Sequence, residues 1–170
     1  MRNLRSLSPF LPLALVWVAF AAYVWLTAGQ FPERVAVHFG VNGEPNRWET
    51  PAGYVRETLI FGAVVPAFVL GTFLIIRFFN GWGLNIPHKD YWLAPERRGQ
   101  TFAFIERLGA WFTVLFIAFF AGVHYTILAA NAHLPASLPS TFLPWIVGPF
   151  LGATMVWGAI LIGHFYRKPA

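Results

Sequence analysis

Two histidines and the charges around them set the chemistry open to this chain. His38 stands in a polar stretch with Glu44, Arg47, Trp48 and Glu49. An imidazole paired with Glu44 or Glu49 is a combination that binds a metal ion or takes up a proton near neutral pH. A histidine that hydrogen-bonds its own loop is the plainer alternative, since no second His or Cys stands at ligand spacing. His124 lies instead in an apolar run, among Phe119, Phe120, Gly122 and Tyr125. An ionisable group at membrane depth is a functional candidate by default. Its ring nitrogen can ligate a haem or a chlorophyll-type pigment, relay protons, or hydrogen-bond a neighbouring helix. His164 ends another apolar run and suits an interfacial place at a helix C-terminus.

The elements that must position these residues are four apolar stretches, about 10–28, 59–79, 108–130 and 142–163. Each is near the ~20 residues that a helix needs to cross ~30 Å of hydrocarbon. Only 11% of the chain is charged and 57% is hydrophobic, which fits a surface that faces lipid. The expected fold is a single all-α integral membrane domain over 1–170, with an outer loop at 30–57 and a cytoplasmic loop at 80–107. Arg2, Arg5, Arg77, Lys89, Arg97, Arg98, Arg107, Arg167 and Lys168 fall on one side of alternating spans, and only Arg34, Arg47 and Arg56 on the other. The positive-inside rule then puts both termini in the cytoplasm. The net charge of +5 is thus an orientation signal, and no nucleic-acid partner is expected. Arg2 and Arg5 before an apolar run resemble a signal peptide. No clear small-residue cleavage site follows, so the segment reads as a signal anchor.

In the outer loop, Val35, Val37 and Phe39 alternate with Arg34, Ala36 and His38 at strand period. Asn42-Gly43 is a hairpin-turn dipeptide. A short hairpin is expected, with its apolar face on the helices and His38 facing away. In the second loop, Lys89, Tyr91, Trp92, Arg97 and Arg98 suit an anionic lipid surface or a partner protein. Ala94-Pro95-Glu96 reads as the start of the third helix. Gly148, Gly152, Ala159 and Gly163 fall within about 60° of one another on the fourth helix. Such a stripe admits a closely packed helix, by default one of this chain, otherwise one of another subunit.

Pro32-x-Arg34-Val35-x-Val37-His38-Phe39, then Gly43-Glu44-Pro45 and Arg47-Trp48, resembles the N-terminal membrane domain of unknown function of SdpI-type bacterial proteins. The similarity covers about residues 10–80. The loop Asn85–Arg98 is similar to one that often follows that domain, which extends the likeness to about residue 130. In this chain Asn46 stands where the pattern usually has an aspartate. The resemblance implies a bacterial cytoplasmic-membrane protein. Its best-known members protect the host from a secreted peptide toxin and signal its presence.

The chain has no cysteine, so thiolate chemistry is excluded. It shows no Gly-rich phosphate loop, no Gly-x-Ser-x-Gly and no His-Glu-x-x-His. All seven carboxylates lie in loops or near helix ends, which weakens proton-coupled transport and acid–base catalysis. The expectation is a non-catalytic accessory subunit or protective binding partner among other membrane proteins. The alternatives are peptide-toxin immunity and a pigment- or haem-associated subunit of a bioenergetic complex.

Overall fold

The computed structural model describes residues 10–167. Arg2, Arg5 and Lys168, used in the orientation reading, lie outside the described residues. Four helices are long and apolar enough to cross a membrane, so the architecture is that of an all-α multi-pass membrane protein. Helix α1 (Phe10–Thr27) ends in one 3-10 turn, Ala28–Gln30. Helix α2 (Pro51–Phe78) begins well before the apolar stretch near residue 59. Its start is set by local chemistry. The Thr50 hydroxyl accepts from the Gly53 N–H at 3.1 Å, and Pro51 fills the first helical position. A single turn, α3 (Lys89–Trp92), precedes α4 (Arg98–Asn131), whose 34 residues span about 51 Å. Ala94-Pro95-Glu96 forms the turn before α4 rather than its first turn: the Ala94 carbonyl accepts from both Arg97 and Arg98. A π-helical turn at Leu143–Val147 leads into α5 (Gly148–Tyr166).

The helices pack through gaps that the sequence leaves for them. Pro66 has no N–H, so the Gly62 carbonyl one turn earlier loses its helical partner. The Trp17 indole of α1 donates to it at 3.0 Å. Phe20 of α1 sits where a Gly62 side chain would stand, and Phe73 of α2 does the same at Gly109 of α4. At the end rich in Lys and Arg, Arg77 donates to Glu106 at 2.7 Å and ties α2 to α4. Helix α5 packs against α4, and the Trp157 indole donates to the Leu108 carbonyl at 2.9 Å. The small-residue stripe on α5 does not serve an internal contact. Added Cβ atoms at Gly152 and Gly163 would meet nothing within 4 Å, one at Gly148 would meet only the Leu143 carbonyl, and Ala159 is exposed.

The expected hairpin is present, as antiparallel β1 (Val35–Phe39) and β2 (Pro45–Glu49). Its strands are irregular. The register slips between Ala36 and His38 and again between His38 and Phe39. That bulging breaks the alternation expected from the sequence, so Val35 and Ala36 are both fully buried. Ala36 is buried because Asn131, the last residue of α4, treats it as a strand partner. The Asn131 amide accepts from the Ala36 N–H at 2.8 Å and donates to the Ala36 carbonyl at 2.9 Å. The loop after α4 holds the other end of the hairpin, with the Leu138 N–H donating to the Gly43 carbonyl at 2.9 Å.

Replacing Asn131 by Leu leaves both Ala36 backbone groups buried without partners. The expected cost is about 1–3 kcal/mol, read as a lower unfolding midpoint in detergent. Hydrogen exchange at Ala36 should speed up as well. An unchanged midpoint with a protected Ala36 would show that the clamp does not hold the hairpin.

Candidate functional site

At the hairpin end, α1, α2 and α4 each deliver one polar side chain to a single point. Thr27 is the last residue of α1. Tyr54 sits in the first turn of α2, fixed there by the Thr50 cap. His124 comes from α4, seven residues before its end, or about 10 Å along the axis. Only 1% of His124 is exposed. Its Nδ1 lies 2.8 Å from the Tyr54 hydroxyl and its Nε2 2.8 Å from Thr27 Oγ1. Thr27 already donates its one hydroxyl proton to the Tyr23 carbonyl at 2.7 Å. It therefore accepts from His124 Nε2–H, and Nδ1 accepts from the Tyr54 O–H. The rings of Tyr23 and Phe31 meet His124 edge-on, with centroids at 4.9 and 6.0 Å.

This arrangement does not fit haem or pigment ligation. Both ring nitrogens are engaged, and no lone pair is left for a metal. The ring is a strut between helices.

Directly beside this strut is a cavity of about 190 Å³, roofed by the hairpin. His38, Arg47, Tyr54, Glu57, Thr58 and His124 supply its polar lining, and Val37, Phe61, Phe120, Val123 and Ile127 the rest. Two sites that the sequence separates, the outer loop around His38 and the buried His124, thus share one cavity. Arg47 crosses its mouth, donating to Glu57 at 2.8 Å and to Glu49 at 2.9 Å. The hydrogen bonds to Glu49 and then Glu57 raise the Arg47 pKa above its ordinary value, so it stays cationic. Glu57 lines the cavity with Arg47, and Glu49 pairs with Arg47 from outside the lining.

Within the cavity lining, His38 Nδ1 pairs with Asn46 Oδ1 at 2.6 Å. The remaining candidates are placed elsewhere. The Glu44 carboxylate is engaged at the hairpin tip by the Asn42 amide at 2.6 Å. Among the described residues no three His, Asp or Glu side chains lie together as a metal site. Trp48 lies under the Arg34 guanidinium at 5.6 Å, away from the cavity lining. Lys89, Tyr91, Trp92, Arg97 and Arg98 belong to the opposite end of the bundle. Sequence reasoning missed Thr27, Tyr54, Glu57 and Thr58. Thr50-Pro51, a cap followed by a first-turn proline, was the available signal that α2 starts early enough to bring Tyr54 here.

Residues 14–55 match the family model described as Domain of unknown function (DUF1648). The match covers α1 from Ala14 onward, the hairpin and the first turn of α2, and so includes Thr27, His38, Asn46, Arg47 and Tyr54. His124 and Asn131, which complete the strut and the clamp, lie outside it. No curated protein matches the chain, and no solved structure does.

Nitrogen NMR of the His124 ring is expected to show a protonated Nε2 and a bare, hydrogen-bonded Nδ1. The reverse tautomer would contradict the assignment. Tyr54→Phe removes the donor to that bare nitrogen and should cost about 1–3 kcal/mol in detergent unfolding. Adding haem to the purified protein should give no His124-dependent absorption band.

Proposed function

We propose that this chain is a non-catalytic binding protein of the bacterial cytoplasmic membrane, with both termini in the cytoplasm. It would serve as an accessory subunit or protective partner to another membrane-associated polypeptide. The observation that carries this reading is the hairpin-roofed cavity at the end of the bundle. Its ~190 Å³ falls short of the about 300–1,000 Å³ that enclose a whole small-molecule ligand. It suits one or two side chains of a polypeptide. The Glu57 carboxylate in the lining can take a basic group in exchange for Arg47, and the apolar wall favours a neighbouring aliphatic or aromatic one. The one hydroxyl–imidazole pair in the lining, Tyr54 on His124, holds α2 to α4, and no Ser or Cys lines the cavity, which supports a binding role over catalysis.

The likeness to SdpI-type proteins favours one specific form of this function. A secreted, cationic and partly apolar peptide would meet the hairpin end from outside, and the chain would protect by occupying it. The outward-facing stripe Gly148, Gly152, Ala159 and Gly163 supports a place beside another subunit. The pigment- or haem-associated alternative loses its ligand, because His124 is fully hydrogen-bonded.

The test is co-purification from native membranes in mild detergent. The wild-type chain should bring down a stoichiometric polypeptide partner. Replacing Glu57 by Gln together with His38 by Ala should cut the recovered partner by about tenfold. A lone monomer, or recovery that ignores both substitutions, would contradict the reading.

A further inference from the structure

We propose that the basic end of the bundle carries a site for the phosphate of an anionic phospholipid. It lies at the opposite end from the cavity under the hairpin and is independent of it. Arg97, Gln100, Thr101, Phe104 and Arg107 recur at helical spacing and share one face at the start of α4. Tyr91 and Trp92 of α3 and His164 of α5 face them across a cavity of about 320 Å³.

The frame of this cavity is built. The Trp92 indole donates to the Phe165 carbonyl at 3.2 Å, and Thr101 Oγ1 donates to the Trp92 carbonyl at 2.8 Å. The His164 ring stacks on Phe104 with centroids 3.8 Å apart. The Arg97 guanidinium lies 4.2 Å over the Tyr91 ring. Its Nη1 donates to Glu96 at 3.1 Å, a carboxylate that is 64% exposed. Among the described residues Arg107 makes no ion pair within 4 Å.

Charge complementarity selects the ligand. Two guanidiniums, a histidine and an amide line the cavity, and no carboxylate does. The surrounding end of the bundle carries Arg77, Lys89, Arg97, Arg98, Arg107 and Arg167 against Asp90, Glu96 and Glu106, six positive and three negative charges among the described residues. Depth selects the source. Arg107 immediately precedes the apolar run that begins at Leu108, so the site sits at the level of phospholipid headgroups. Arginines suit a phosphate better than lysines because the planar fork of each donates two hydrogen bonds at once. Lys89 and Arg98 do not line the cavity and are expected to add only diffuse attraction.

The test measures binding of the full-length protein in nanodiscs to labelled phosphatidylglycerol, with phosphatidylcholine and inorganic phosphate as separate arms. Saturable binding of phosphatidylglycerol is expected, with little from phosphatidylcholine. Arg97→Gln with Arg107→Gln should weaken it about tenfold or more. Lys89→Gln with Arg98→Gln should weaken it less than about threefold. Gln100→Glu changes an exposed first-turn residue and places a carboxylate in the cavity. It should also abolish saturation, even if the double arginine variant fails to fold. Equal loss in the two double variants, or full binding by Gln100→Glu, would overturn the site. Equally tight binding of inorganic phosphate without lipid would overturn the lipid as its source.

Discussion

The ring of His124 is shut away from water, so both of its nitrogens have to be satisfied by protein. That requirement fixes the relative height of three helices. Thr27 must close α1 and Tyr54 must open α2 at the same depth. The Thr50 cap and Pro51 start α2 at the one place that presents Tyr54 to the ring. A polar strut of this kind contributes little net stability while intact, but each partner removed leaves a buried group unpaired. It sets register between helices that apolar packing alone would let slide.

The hairpin depends on the same frame. Two strands of five residues are marginal by themselves in water. Here Val35 is buried among Val24, Tyr54 and Ile127, and Asn131 supplies the hydrogen bonds that a third strand would have given to Ala36. The bulge at Val37 follows from pinning Ala36 inward while His38 still meets Arg47 across the ladder. It leaves Val37 and His38, neighbours in sequence, on the walls of one cavity. The cavity is thus the space between a strut that cannot move up and a hairpin that cannot settle further down.

The spans and the hairpin were legible because apolar length, strand alternation and Asn42-Gly43 are local signals. Helix starts were less so. The helices outrun their apolar stretches: α2 through a cap and proline, α4 through the polar turns from Arg98 to Arg107. The meeting of His38 with His124 was not legible at all. It depends on the depth of His124 in α4 and on a side chain, Asn131, whose role is set by a strand almost a hundred residues earlier. The packing role of Gly148, Gly152, Ala159 and Gly163 was read from periodicity, which gives a face but not what covers it.

The most direct measurement is site-specific photo-crosslinking in intact native membranes. A photoreactive side chain at Thr58 reports from inside the cavity, and one at Val64, exposed on α2, serves as the comparison. If the cavity holds a side chain of a polypeptide partner, Thr58 should give one discrete protein adduct, the same species that co-purifies, and Val64 should give lipid adducts. Lipid adducts alone at both positions would contradict a polypeptide-binding role for the hairpin end.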